Sequence, residues 1–181
     1  MKDEYKKDLS WSGSNKKRIN ALSKSLQKNR RTDHIINDLH HDVFEKIDCL
    51  SCGNCCRTTG PMLLNKDIER LSRHLKVREN AFVETYLRED EDGDFVFKSM
   101  PCPFLQEDNY CSVYEHRPKA CRAYPHTDQK GQLGIMHITR KNSRVCPAVS
   151  QIFQVLVELD SWFEWNRGLF RIKWKKSIPS A

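Results

Sequence analysis

Eight cysteines, four of them packed into the octapeptide Cys49-Leu50-Ser51-Cys52-Gly53-Asn54-Cys55-Cys56, constrain this chain of 181 residues more than any other feature. The stretch from Met1 to Arg31 is polar and basic, with no apolar run long enough for a secretory signal, so a cytoplasmic, reducing compartment is expected. Thiols clustered in such a compartment read as metal ligands, not as a disulfide framework. The other four, Cys102, Cys111, Cys121 and Cys146, follow at intervals that suit ligands delivered from separate turns.

Cys49, Cys52 and Cys55 form a Cys-x-x-Cys-x-x-Cys run, the arrangement with which bacterial-type ferredoxins wrap thiolates around a cubane cluster. Zinc uses Cys-x-x-Cys knuckles as well, and Gly53 would ease the turn in either case. Spacing therefore leaves iron–sulfur and zinc both open. Cys56 adds a further constraint, because adjacent side chains on extended backbone point to opposite faces. Cys55 and Cys56 are accordingly expected to serve two neighbouring centres or one larger cluster. Eight sulfurs make two four-coordinate sites, whose pairing the sequence leaves open; a lone cysteine such as Cys146 can also be a buried, unligated thiol.

Other polar residues stand close by. His116 and His126 bracket Cys121 and are candidate substitutes for thiols, whereas His40 and His41 read as a solvated helix face. Arg57, Arg117 and Arg122 adjoin cysteines, where a guanidinium would offset thiolate charge and donate to sulfur; surface ion pairs are the alternative. No catalytic residue is identified. Were the chain an enzyme, Tyr124, His126 and Asp128 are the nearby groups from which an acid or base would come.

The net charge of +7 is unevenly spread: residues 1–33 carry ten Lys/Arg against four Asp/Glu, and residues 166–181 carry five against none. A centre held by four thiolates has a net charge of about −2, so two would bring the chain to about +3 and weaken any case for nucleic acid from basicity alone. Trp11, Trp162, Trp165 and Trp174 read as closing a core or interface before they read as stacking platforms. The partner expected is an unidentified protein. The longest uncharged stretch, Val145 to Val157, is shorter than the roughly 20 residues of a membrane span.

The sequence predicts a flexible basic segment over 1–33, in which helical spacing begins at Ile19, Leu22 and Leu26, a cysteine-cluster domain over 34–166 and a basic tail over 167–181. Ile35, Ile36, Leu39, Val43, Phe44 and Ile47 make a helical ladder that delivers the chain to Cys49. Asn65 is the expected N-cap of a helix with Ile68, Leu71 and Leu75 on one stripe, and Phe82, Val83, Tyr86 and Leu87 form the inner face of the next. Glu89 to Asp94 reads as a turn before a Phe95–Phe97 strand; Glu107-Asp108-Asn109 suggests a hairpin carrying Cys102 and Cys111. Pro118 to Pro125 reads as a short helix, Ile135–Ile138 as a strand, and 147–166 as a core helix. The fold class expected is α+β: an irregular, metal-centred cysteine core with short hairpins, surrounded by helices.

With these motifs in place, CLSCGNCC followed by CPFL and YCSVYEHRPKACRAYP resembles the YkgJ-type cysteine-cluster family, also described as a CxxCxxCC zinc- or iron-chelating domain. The resemblance covers about Cys49 to Cys146 and implies metal ligation by Cys49, Cys52, Cys55, Cys56, Cys102, Cys111 and Cys121, with Cys146 the last to be added. A related motif in a flagellin lysine methylase is associated with an iron–sulfur cluster, but this chain has no Gly-x-Gly-x-x-Gly and only seven scattered glycines. The expectation is a cytoplasmic metal-binding protein, iron–sulfur of 4Fe–4S type favoured over zinc, with a redox, maturation or modification role. The alternative is a structural zinc module whose basic ends bind an acidic partner or RNA.

Overall fold

The N-terminal segment, expected to be flexible, is helical. The computed structural model describes residues 1–29 and 31–166, with side chains as far as residue 160, and begins with α1 (Asp3–Ser14) and α2 (Lys16–Leu26). Ile19, Leu22 and Leu26 lie at i, i+3 and i+7 on α2 and are buried against α3 (Thr32–Phe44), α9 (Gln132–Asn142) and α10 (Pro147–Asn166). Burial of each such side chain is worth about 1.5–3 kcal/mol, enough to hold a short helix that would be marginal alone. The anchors of α1 are polar: Ser12 Oγ meets Ser150 Oγ at 2.8 Å, and Asp8 accepts from Gln151 Nε2 at 2.8 Å and Gln154 Nε2 at 3.0 Å. Hydropathy cannot see contacts of this kind. The C-terminal tail and the side chains of Trp162, Trp165 and Trp174 lie outside the described residues.

Helices α1, α2, α3, α9 and α10 share one core, centred on Ile36, Met136, Val149, Ile152 and Phe153. The ladder forms α3 from Ile35 to Phe44, but the helix ends there and Ile47 lies beyond it, before Cys49; the 147–166 helix forms α10 as expected. The Ile135–Ile138 strand is corrected to part of α9. Gly131 starts that helix in the left-handed region at φ 82°, and Asp33 supplies its cap from α3, accepting from Gly131 N at 2.7 Å and Gln132 N at 2.8 Å. That cap comes from nearly a hundred residues away and overrides the local β preference.

A second core is built around three short strands, β1 (Met62–Leu63), β2 (Leu87–Glu89) and β3 (Phe95–Phe97). They form an antiparallel sheet in the order β1-β3-β2, with Leu63 opposite Phe95 and Leu87 opposite Phe97. Thus Leu87 belongs to a strand and not to the preceding helix, α7 (Glu79–Tyr86). Against the sheet pack α7 and α6 (Asn65–Leu75), through Ile68, Leu71 and Phe82, with Phe104 stacked 6.5 Å from Phe82 and edge-on at 5.7 Å to Phe97.

Asn65 is the first residue of α6, not its cap; Asp67 performs that task by accepting from Leu64 N at 3.1 Å. Buried Asp67 also accepts from Lys119 N at 3.0 Å and Arg70 Nη2 at 2.5 Å, and Arg70 donates on to the carbonyls of His116 and Arg117. One carboxylate therefore ties α6 to the 3-10 turn Tyr114–His116 and to α8 (Lys119–Ala123). The expected hairpin around Glu107–Asn109 is reduced to a tight loop with a single bridge, Leu105 to Cys111, turned by Asn109 at φ 67°. The architecture is α+β. No helix among the described residues is long and apolar enough to cross a membrane.

Candidate metal centre

The octapeptide folds as two helical turns back to back, α4 (Cys49–Cys52) and α5 (Asn54–Thr58). Asp48 caps the first, its carboxylate accepting from Leu50 N at 2.9 Å and Ser51 N at 3.2 Å. Gly53 joins the two at φ 59°, and a Cβ there would sit 2.3 Å from Arg57 Nη1 and 2.9 Å from Asn109 Oδ1, so the position admits only glycine without rearrangement. Because Cys55 and Cys56 are helical and not extended, their sulfurs approach to 3.9 Å instead of facing apart.

The four distant cysteines reach this turn from both cores. Cys56 O accepts from Cys102 N at 2.8 Å, and Cys111 follows on the bridged loop. Cys121 comes from α8. On the other side, Asn54 Nδ2 donates to Val145 O at 2.7 Å beside Cys146, which packs against the helical core. Cys146 N in turn donates to Asn142 O, and Asn142 Nδ2 to Pro125 O at 3.1 Å, which draws Tyr124-Pro125 to the same place.

The thiols shift one another across the whole cluster. Burial, then Cys49 and Cys52, push Cys146 up to about 12, and Cys146 and Cys49 help to raise Cys55. Burial, then Cys56, Cys102 and Cys111, push Cys121 up to about 12; burial with Cys56 and Cys111 pushes Cys102 up to about 11. Burial and Cys56 also raise Cys111. Cys49 and Cys52 are raised chiefly by burial, and each also feels Cys56. Cys56 thus acts on Cys49, Cys52 and Cys55 as well as on Cys102, Cys111 and Cys121, whereas Cys146 interacts with Cys49, Cys52 and Cys55.

Cys56 behaves differently from the rest. The Cys55 S–H donates to it, and Arg57 and Arg117 add positive charge, which brings it down to about 7 against the cost of burial. Arg57 is held by Cys52 O and the side chain of Asn109, whose Nδ2 donates to Leu50 O at 2.6 Å. Arg117 lies 3.4 Å over the Tyr114 ring and donates to Tyr114 O at 2.7 Å. Arg122 is exposed on α8.

Tyr124 is the other notable group. Its hydroxyl is buried without a hydrogen-bond partner among the described residues, and its phenol is raised far above the usual range by burial and then by Cys146, Cys55, Cys52 and Cys49. An uncommitted O–H beside four sulfurs is a donor for thiolate. The other candidates are placed elsewhere: His116 stacks on His74 at 4.0 Å, His126 lies edge-on to Tyr124 at 6.3 Å, and Asp128 acts on His40. His40 is half-buried, 2.7 Å from Thr127 Oγ1 and stacked on Phe44, which corrects its reading as solvated; His41 is exposed. Sequence reasoning assigned no role at the site to Asp48, Asn54, Asp67 or Tyr114, and read Asn109 only as part of a turn-forming triplet.

Among the described residues no three His, Cys, Asp or Glu side chains are drawn tightly enough to grip one bare ion as they stand. The donor set nevertheless fits a thiophilic metal: eight unpaired thiols, with two guanidinium groups and a free phenol O–H acting among them. The family described as "CxxCxxCC: Putative zinc- or iron-chelating domain" matches residues 48–147, from the α4 cap to the first residue of α10. The chain belongs to this family of zinc- or iron-chelating domains and is a metal-binding protein. No curated protein and no solved structure matches it.

Proposed function

We propose that the protein carries two thiolate-held metal centres side by side, one on Cys49, Cys52, Cys55 and Cys146 and the other on Cys56, Cys102, Cys111 and Cys121. Both are read as iron–sulfur clusters of the 4Fe–4S type in a cytoplasmic protein with a redox, maturation or protein-modification role. The observation that favours the pairing is how the distant thiols distribute: Cys146 acts on Cys55, whereas Cys102, Cys111 and Cys121 feel Cys56, the Cys55 and Cys56 sulfurs themselves meeting at 3.9 Å where the two sets adjoin. Support for iron–sulfur comes from the Cys-x-x-Cys-x-x-Cys run and from donors near sulfur, the Tyr124 hydroxyl in one set and Arg117 in the other. When bound, such clusters supply one-electron transfer. Tyr124 and Arg117 stabilise the thiolates that hold them, and the redox partner is read as a protein.

One distance favours a second reading. The 3.9 Å between the Cys55 and Cys56 sulfurs is close to the edge of a zinc–thiolate tetrahedron, about 3.8 Å for bonds of about 2.3 Å. That reading makes the protein a structural zinc module binding an acidic partner or RNA through its basic N-terminal helices and tail. Purification without oxygen separates the two: brown protein with iron and sulfide in equal amounts supports clusters, while colourless protein with two zinc ions per chain supports the module. Steep loss of RNA affinity with salt would add nucleic acid to the second reading.

A further inference from the structure

In the helical half a cleft of about 240 Å³, with none of the eight cysteines in its lining, opens between the start of α2 and the end of α9. Its charged lining is wholly cationic: Lys16 from one side, Arg140, Lys141 and Arg144 from the other, with Asn20 and Ser143 between them. No carboxylate lines it, and none of the four cations forms an ion pair among the described residues. Arg140 is half-buried there. Gathering four like charges around one hollow costs free energy that an anion would recover, most strongly where a guanidinium has already lost part of its water.

The chemistry of the lining points the same way. Arginine forks match the oxygens of phosphate bidentately, and the side-chain amide of Asn20 offers donors of its own. The volume exceeds that of a phosphate ion alone. We infer that this cleft binds a phosphoryl group, as free phosphate or as the monoester of a small molecule, at a site separate from the cysteine sets.

The test uses the metal-loaded full-length protein at low ionic strength, titrated with inorganic phosphate and with glycerol phosphate by calorimetry and by amide chemical shifts. Saturable binding is expected, with shifts concentrated in residues 16–20 and 140–144. The stronger of the two ligands tells whether free phosphate or a phosphorylated molecule is the natural occupant. Arg140→Gln should weaken binding about tenfold or more while metal content stays unchanged; Lys141→Gln serves the same purpose should the first variant fold poorly. Lys66→Gln, which removes a charge on α6, should leave affinity within twofold. The inference is overturned by absence of saturation, by an equal response to chloride at matched ionic strength, by equal weakening in Lys66→Gln, or by a short single-stranded RNA binding a hundredfold more tightly than the monoester.

Discussion

The two halves that meet at the octapeptide are held together by different means. The helical half, α1–α3 with α9 and α10, encloses a long apolar core and contributes one cysteine, Cys146, from its interior edge. The sheet half has a smaller core of Leu63, Ile68, Leu71, Phe82, Phe97 and Phe104, and contributes Cys102 and Cys111 from a loop with one bridge, with Cys121 on a five-residue helix. A core that buries less apolar surface leaves more of its stability to cross-links. Under the proposed pairing metal should play unequal parts, docking onto a finished scaffold on one side and completing the scaffold on the other.

Removing the metal is the largest perturbation of that contrast. Chelation should lower amide protection across residues 100–125 by about 100-fold or more while α10 keeps most of its own, because metal binding supplies more of the folding free energy where the apolar core is smaller. Hydrogen exchange before and after chelation reads this directly. Equal loss in both halves would erase the distinction.

Next in size is Asp67→Ala. The buried carboxylate receives Leu64 N, Lys119 N and Arg70, so its loss strands a guanidinium and two amides and should cost about 3–5 kcal/mol, seen as a lower unfolding midpoint. Metal in the Cys56 set should fall with it, and metal in the Cys146 set should not. Gly53→Ala is milder: the left-handed backbone costs about 1–2 kcal/mol and the crowding against Arg57 adds to it. It touches both sets, so both should release metal faster.

The smallest expected effect is kinetic. With Cys56 near 7 and Cys102, Cys121 and Cys146 at about 11 to 12, Cys56 alone of these carries substantial thiolate at neutral pH once metal is removed. Iodoacetamide should therefore label Cys56 first, at a rate that falls as pH drops below 7, while Cys102, Cys121 and Cys146 lag behind it. Mass spectrometry of quenched samples checks the order. For the same reason metal uptake must release protons from the raised thiols, so affinity should climb as pH rises.

Much of the cysteine site was legible in the sequence, because ligand spacing is local chemistry. The octapeptide, the helix that delivers it and the Pro118–Pro125 helix all follow from short-range signals. What stayed hidden depends on contacts across the fold. Asp33 caps α9 from another helix and turns an apparent strand helical. Ser12, Asp8 and Ser150 anchor α1 by polar pairs that no hydrophobic stripe announces. The assumption of extended backbone at Cys55 and Cys56 missed Gly53, whose left-handed turn lets α5 begin at once. Even so, the expectation of two neighbouring sets is the one the proposed pairing develops, with the boundary falling between those two residues.

The pairing of eight sulfurs into two fours is tested most directly by counting metal in Cys146→Ser and Cys121→Ser, each purified without oxygen beside the unaltered protein. The account predicts that either change removes one half of the metal and leaves the spectrum of the remaining centre intact, and that the two residual spectra add up to the original. A folded single variant stripped of all its metal, or both variants retaining the full complement, would contradict it.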